Sequence, residues 1–427
     1  MRIEKVEQDE LEQVAYERSN RDQTNYDQVD ERVHEIVHTI RREGNDAVYQ
    51  YINQLDGVEL TDFRVSELEF EQAFEKVSEQ FISVLQEAKG NISRYHALQK
   101  EQSWFTNDQE GIWLGQQIRP MKRVGVYVPG GKAAYPSTVL MNVLPAKVAG
   151  VKQVVVTTPV QPDGKVNPNT LVAAKIAGAD EVLKIGGAHG IATLAYGTET
   201  VQAVDKIVGP GNAYVARAKK YVFGDVGIDM IAGPSEVCIV VDADANPRFV
   251  AADLLAQAEH DELASSIVVT DCPTMARQIQ DEVERQLQTL NRQDILKQSI
   301  SNQGVIYLMK SLDLAFDLVN QLAPEHLELH VNDPFQKLSK VENAGAIFLG
   351  EYSPEPLGDY FAGPNHTLPT DGTAKFSSPL GVYDFMKKSS VIYYDQTALA
   401  EASQQIEYFA KEEGLDAHAE SIRIRFK

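Results

Sequence analysis

From Arg123 onward the chain alternates short β-branched runs with helical stretches, and this alternation restricts its fold more than any other feature. VGVYV, KQVVVTTPV, EVLKIGG and KIVG are spaced by STVLMNVLPAKVAG, NTLVAAKIAG and GIATLAYGT, and the series closes near Ile231. A second series begins at VCIVVDADA and continues through NPRFVAADLLAQAEHDELA, SSIVVT, TMARQIQDEVERQLQTL, GVIYLM and LDLAFDLVNQLAPEH. Strands separated by helices of about 10–15 residues form parallel sheets with helices on both faces.

The predicted fold is therefore α/β, with two Rossmann-like domains of parallel strands flanked by helices and small N-terminal and C-terminal extensions. A length of 427 residues is enough for both. The expected division is a helical extension over 1–24, a larger discontinuous α/β domain over 25–126 and 235–380, an inserted α/β domain over 127–234, and a C-terminal extension over 381–427. The first 120 residues read as helices with solvated faces, since apolar positions in DERVHEIVHTIRREGNDAVYQYINQL recur at three and four residues. His34 and His38, one turn apart there, read as a solvated pair. The last residues to Phe426 read as strand-like.

Forty Lys and Arg against 62 Asp and Glu leave a net charge of −22, which repels a nucleic-acid backbone. No window approaches the 18 or so apolar residues of a membrane span, and the polar start MRIEKVEQDELEQ lacks the apolar stretch of a secretory signal. A cytoplasmic protein is expected. The two cysteines, Cys238 and Cys272, lie in apolar runs and read as free buried thiols.

Several polar residues stand where chemistry could be done. Gln257 and His260, three residues apart in AQAEHDE, share one helical face and would make half of a metal site, or simply a solvated face. Glu325 and His326, after the helix-ending Pro324, offer two proton acceptors of different basicity at a helix-to-strand corner; the plainer reading is a capping Glu beside a surface His. His330 reads as surface. GEYSPEPLGDYFAGPNHTLPTDGTAKFSSPLGVYDF has no secondary-structure period, and a loop this long is more often functional than not. It carries Asp359 and His366. Glu413 and His418 flank the helix-ending Gly414.

VPGGKAAYPST and KIVGPGNAY each follow a strand, and glycines at strand ends let a ligand approach the backbone. Ser137 or Thr138 could cap the next helix. Neither stretch completes G-x-G-x-x-G, because Tyr214 stands where the third glycine would be. Tyr127, on the strand before the first of them, could stack on a flat ring or pack on a helix.

Taken together, RVGVYVPGGKAAYPSTVLMNVLPAKVAGV, KIVGPGNAYVARAK, IDMIAGPSE, LLAQAEHD, LAPEHLE, GDYFAGPNHTLPT, FSSPLGVYDF and EGLDAH resemble the histidinol dehydrogenase family over nearly the whole chain. The resemblance implies a homodimeric zinc enzyme with one Zn2+ per subunit, which oxidises L-histidinol through L-histidinal to L-histidine with two NAD+ at the last step of histidine biosynthesis. It implies zinc ligands at Gln257, His260, Asp359 and His418 and proton acceptors at Glu325 and His326. Substrate contacts fall on Ser235, His366 and Glu413, together with His326 and the zinc ligands. Dinucleotide contacts fall on Tyr127, His189 and Asn212. His189 departs from the family, which usually carries Gln at this position.

The chemistry of these side chains fits that reaction. An imidazole with an unperturbed pKa of about 6.5 can take the alcohol proton at neutral pH. Glu325 could deprotonate the water added to the aldehyde. Two other readings are a relative that oxidises another small alcohol, such as a sulfonated diol, and a metal- and dinucleotide-binding module without catalysis. Glu413 and His366 favour the amino alcohol, since a carboxylate pairs with an ammonium and not with a sulfonate.

Overall fold

The computed structural model describes residues 1–19, 26–130 and 134–427, so positions 131–133 of the glycine-rich stretch and the end of the expected N-terminal extension lie outside the described residues. The chain divides into two units, one of Met1–Gln99 with Lys122–Phe385 and one of Lys100–Met121 with Met386–Lys427.

The first unit is built on two parallel sheets. One holds five strands in the order Glu181–Leu183, Gln153–Thr157, Arg123–Tyr127, Lys206–Val208, Gly227–Ile228. The other holds six, in the order Arg2–Lys5, Val305–Leu308, Ser265–Thr270, Glu236–Val241, His326–His330, Ala346–Leu349. Apart from Arg2–Lys5, both sheets place their strands in the same chain order, third, second, first, fourth, fifth. The first strand therefore lies at the centre of each, where the winding reverses.

Central strands of such sheets are covered on both faces and read as unbroken apolar runs. In Glu236–Val241, Val237, Ile239 and Val241 pack with Val250, Leu254 and Ile279 on one face. Cys238 and Val240 pack with Phe316 and Leu318 on the other. Both cysteines are free, as expected, with Cys238 buried and Cys272 partly so.

One helix ties the two sheet systems together through a defect in its own backbone. Pro136–Ala149 starts on Pro136, ends on Gly150 at φ +93°, and contains Pro145. Proline has no N–H to donate four residues back, which leaves the Met141 carbonyl open. Asn365 Nδ2 donates to it at 2.6 Å. Asn142 Nδ2, one residue on, donates to the Thr138 carbonyl at 2.8 Å and reaches Thr367 Oγ1 at 3.3 Å. The segment on either side of His366 is thereby fastened to a helix of the five-stranded sheet.

Three sequence expectations change. Arg2–Lys5 is a strand on the edge of the six-stranded sheet, not part of a helix; four half-exposed residues carry too little period to reveal a ladder made with Val305–Leu308. Trp104–Thr106 and Ile112–Pro120 are strands too, and Ile112–Pro120 pairs antiparallel with Met386–Tyr394, which joins residues 100–121 to the C-terminal unit. The strand-like end is instead the helix Asp416–Arg423 and a 3-10 turn, with Arg423 Nε on Glu407 of the preceding helix Gln396–Glu412 at 3.1 Å. The alternation in SIRIRF fits an amphipathic turn as well as a strand. His34 and His38 are exposed, as expected, with their Nε2 atoms 3.2 Å apart.

The KIVGPGN turn is clamped from below by a buried ion pair. Lys219 Nζ donates to the Gly209 carbonyl at 2.9 Å, Asp229 Oδ2 accepts the Gly209 N–H at 2.8 Å, and Lys219 and Asp229 pair with each other, 2% and 1% exposed. Gly209 has φ +112°, and a Cβ there would run into the Tyr127 carbonyl. Lys219→Met is expected to destabilise the protein by about 3–5 kcal/mol, the usual result of stranding one buried charge. Urea unfolding midpoints check this; a loss under about 1 kcal/mol would show the pair to be dispensable.

Candidate active site

The site begins at one peptide group. Where the strands Glu236–Val241 and His326–His330 start side by side, Glu325 Oε2 accepts the Glu236 N–H at 2.9 Å and His326 Nδ1 lies 3.1 Å from the Glu236 carbonyl oxygen. A carbonyl can only accept, so Nδ1 carries the proton and Nε2 presents its lone pair. Nε2 is buried without a hydrogen-bond partner, 3.9 Å from Asp359 Oδ1. Burial lowers the His326 pKa below the ordinary histidine value, outweighing the charge of Asp359, and keeps the ring neutral. The same burial raises Glu325 well above the usual carboxylate range, with Glu236, Asp359 and Asp371 adding to the rise.

Two helices bring the other side chains to this edge. Asn246 caps Pro247–Ala258 by accepting from Arg248 N, and the helix runs back along the sheet to buried Gln257. It ends two residues before His260, earlier than the sequence pattern predicts, because Asp261 already accepts from Leu263 N in the next turn. His260 N still donates to the Gln257 carbonyl, so the shared face is kept, with Gln257 Nε2 3.4 Å from His260 Nδ1. The second helix, Glu355–Tyr360, lies inside the segment predicted to be structureless, and it positions Asp359.

Asp359 is the point on which the site converges. Its carbonyl accepts from His366 Nδ1 at 3.0 Å, and its Oδ1 is 3.9 Å from both His366 Nδ1 and His326 Nε2. His366 Nε2 is 3.4 Å from Thr138 Oγ1 at the start of the helix that Asn365 fastens. Burial lowers the His366 pKa too, again against the pull of Asp359. Donor atoms of His260, Glu355 and Asp359 all lie within 4.8 Å of one another. An imidazole, two carboxylates and the neighbouring Gln257 amide form a nitrogen and oxygen set of the kind a zinc ion takes. Ser235 adjoins Glu236 and accepts from Ser265 N through its carbonyl.

Of the expected dinucleotide residues, Asn212 is exposed and caps the helix Ala213–Val222 by accepting from Val215 N at 3.2 Å. Tyr127 is buried, its hydroxyl accepts from Gly187 N at 3.1 Å, and burial pushes its pKa up to about 12. His189 is buried with Nε2 3.4 Å from Asp56. Glu413 and His418 lie in the second unit, at the end of Gln396–Glu412 and within Asp416–Arg423.

Sequence reasoning missed Glu355 and a deeper group. Prolines at 354 and 356 are the helix-start signal that could have revealed the turn carrying Glu355. His330, expected at the surface, is 3% exposed, with Nε2 3.2 Å from Glu328 Oε2 and 3.8 Å from Asp253 Oδ2, because a central parallel strand has no solvent face. Burial and the charge of Glu328 push Asp253 up to about 8.

Comparison with known proteins places this geometry. A family model described as histidinol dehydrogenase matches residues 19–426. The histidinol dehydrogenase of Oceanobacillus iheyensis is 54% identical over 398 residues, 93% of each chain. That of Lactococcus lactis is 49% identical over 421 residues, 98% of each. Among solved structures, the crystal structure of histidinol dehydrogenase from Elizabethkingia anophelis superposes with a TM-score of 0.95 at 36% identity, covering 100% of this chain and 98% of that one.

The lowered pKa values have a direct readout. In carbon-proton spectra of the histidine Cε1 groups, His326 and His366 are expected to keep neutral-ring shifts as pH falls through about 6.5, where exposed rings begin to titrate. The unfolded chain then binds more protons than the folded one, so the stability these rings contribute is present above that pH and is lost as pH falls through their folded values. Midpoints at or above the ordinary value would contradict the burial argument.

Proposed function

The chain belongs to the histidinol dehydrogenase family and is the dehydrogenase of the last step of histidine biosynthesis; we propose that it works with one zinc ion per subunit and two NAD+, taking L-histidinol through L-histidinal to L-histidine. The observation that carries this reading is the convergence of His326 Nε2, the Asp359 carboxylate and His366 on one small volume next to His260. Zinc, when bound by Gln257, His260, Asp359 and His418, would hold the substrate's nitrogens, and NAD+, when bound, would accept the two hydrides.

The chain's own groups handle the protons. His326 Nε2 is neutral, unpartnered and buried, and its tautomer is set by the Glu236 carbonyl, so it is poised to take the hydroxyl proton as the alcohol becomes an aldehyde. The aldehyde then adds water. Glu325 is the acceptor for the water's proton: a carboxylate that burial raises above the usual range is a stronger base than an exposed one. Its Oε2 is 3.6 Å from His326 Nδ1, so the two proposed acceptors stand side by side. His366, neutral and held between Asp359 and Thr138, orients the substrate, and Ser235 and Glu413 complete its contacts.

The proposed NAD+ side is the carboxyl edge of the five-stranded sheet, between Arg123–Tyr127 and Lys206–Val208, where the winding reverses and ligands bind in such folds. Asn212 is the exposed contact there, while Tyr127 and His189 shape the edge from within. A homodimer fits the large apolar side chains left bare on the second unit, where Ile392, Tyr408 and Phe409 are 73%, 67% and 66% exposed. No described helix is long and apolar enough to cross a membrane, and the cytoplasm is the proposed location.

Formation of NADH that depends on histidinol, measured on protein of known metal content, tests the whole reading. His260→Asn and His418→Asn are each expected to weaken zinc binding and abolish turnover together; full zinc occupancy with undiminished activity in either variant would remove that residue from the ligand set. Glu325→Gln separates the two oxidations. It is expected to slow single-turnover oxidation of histidinal about 100-fold or more, the usual worth of a general base, and oxidation of histidinol by less. Equal losses on both substrates would refute the division of labour between Glu325 and His326.

A further inference from the structure

His34 and His38 lie one turn apart near the middle of the helix Asp27–Glu43, and neither belongs to the site described above. The opposite face of that helix is buried through Val33, Ile36, Val37 and Ile40, so the backbone that carries both rings is fixed while the rings themselves are exposed. Their Nε2 atoms are 3.2 Å apart. Tyr221, on the helix Ala213–Val222, holds the pair from the side: its ring meets that of His34 edge-on at 5.0 Å, and its hydroxyl is 3.1 Å from His38 Nε2. A direct N–H···N bond between the two imidazoles leaves that hydroxyl competing for the same ring nitrogen. Two nitrogens bound to one ion at about 2.0–2.1 Å and set 3.2 Å apart subtend about 100–106° at it, between the square-planar and tetrahedral angles.

We propose that His34 and His38 form a surface seat for a divalent transition-metal ion, filled through both Nε2 atoms and using none of the residues of the proposed zinc site. Imidazole nitrogens suit Cu2+, Ni2+ and Zn2+, and a seat of two of them follows the general affinity order, with Cu2+ held most tightly. The helix already spaces the donors, so little conformational freedom is lost when the ion binds. The surroundings favour a cation. Tyr221 stands in the last turn of its helix, whose final carbonyls carry partial negative charge, and the chain as a whole has a net charge of −22. The guanidinium groups next to the seat in sequence are taken up elsewhere: Arg217, one turn before Tyr221, pairs with Asp30, and Arg41, three residues after His38, lies over the Tyr196 ring at 4.9 Å. Both rings are open to solvent, so water fills the remaining coordination positions and the ion comes and goes without unfolding the chain.

Cu2+ is the probe, and binding is read without turnover. The full chain, first loaded with zinc, is titrated with Cu2+ in competition with a chelator of known affinity, and the bound ion is examined by pulsed electron paramagnetic resonance, which counts the coordinated imidazoles. One Cu2+ per chain carrying two imidazoles is expected. His34→Gln and His38→Gln are each expected to weaken binding about 100-fold or more, the usual worth of a second donor linked at short range, and to leave one imidazole on the metal. Both positions are exposed and glutamine is a good helix former, so each variant is expected to fold and to keep histidinol-dependent NADH formation unchanged. His260→Asn and His418→Asn are expected to leave the Cu2+ affinity within about threefold of the unaltered protein, since neither touches this seat. The proposal is overturned by a Cu2+ affinity of His34→Gln or His38→Gln within that same range, or by a single imidazole on the copper of the unaltered chain. Loss of the copper in His260→Asn overturns it too, by placing the ion in the proposed zinc site. A chain that takes up no zinc contradicts the zinc reading and not this one, which the two histidine variants still decide.

Discussion

The pairing of the strands Glu236–Val241 and His326–His330 is the constraint on which the site depends. Its register places the Glu236 peptide opposite the corner where Glu325 and His326 leave the helix behind. Both polar groups of that peptide are then taken, the N–H by Glu325 and the carbonyl by His326. A slip of one residue would turn His326 to the opposite face of the sheet and exchange every apolar contact of a fully buried strand. The hydrophobic packing that fixes the register therefore also fixes the tautomer of the imidazole. Stability and tautomer are set by the same ladder, so the geometry of the proposed base costs the chain little beyond what folding already requires.

The two sheets share a strand order, but the groups proposed for the chemistry stand at opposite edges of them. In the five-stranded sheet, the glycine turn clamped by Lys219 and Asp229 follows the carboxyl end of a central strand, where this winding opens a crevice. In the six-stranded sheet, Glu325 and His326 stand at the amino ends instead, and Gln257 arrives there because its helix runs antiparallel to the strands. Pro145 is what couples the two. By withholding an N–H from its helix it leaves a carbonyl that Asn365 occupies, and His366 is set next to that anchor. A local helix fault has become the joint between the two sheets.

Much of this was legible in the sequence, and what was not has physical reasons. The β-branched runs declared two parallel sheets because their strands are buried on both faces. Glu325, His326 and Asp359 could be singled out because each sits beside a proline or a glycine that breaks the local period. Glu355 was hidden by the same turn-rich composition, since a helix of six residues shows barely more than one turn of pattern. His330 was misread because HLELH alternates like a half-exposed strand, and its polar face is closed off by the helices Pro247–Ala258 and Glu355–Tyr360, whose Asp253 and Glu355 N–H meet His330 and Glu328. Arg2–Lys5 and Ile112–Pro120 became strands through partners about 300 and 270 residues away in the chain, and pairing at that distance leaves no local trace.

Charge explains why these groups lie where they do. Among the described residues, every ion pair open to Asp253, Glu325, Glu328 and Asp359 is to a histidine, and none is to a lysine or arginine. Buried carboxylates without fixed cations must be neutralised by protons or by a bound ion. The two solutions separate with depth. Asp253, next to Glu328 and pushed up to about 8, keeps its proton at neutral pH, and His330 lies 3.8 Å from it and 3.2 Å from Glu328. Asp359 and exposed His260 belong instead to a group, with Glu355, whose donor atoms lie within 4.8 Å of one another and could hold a metal ion. A fixed lysine there would have satisfied the carboxylates and left no place for the proposed metal and amino alcohol. The shortage of internal cations among the described residues is what the proposed bound ion would offset.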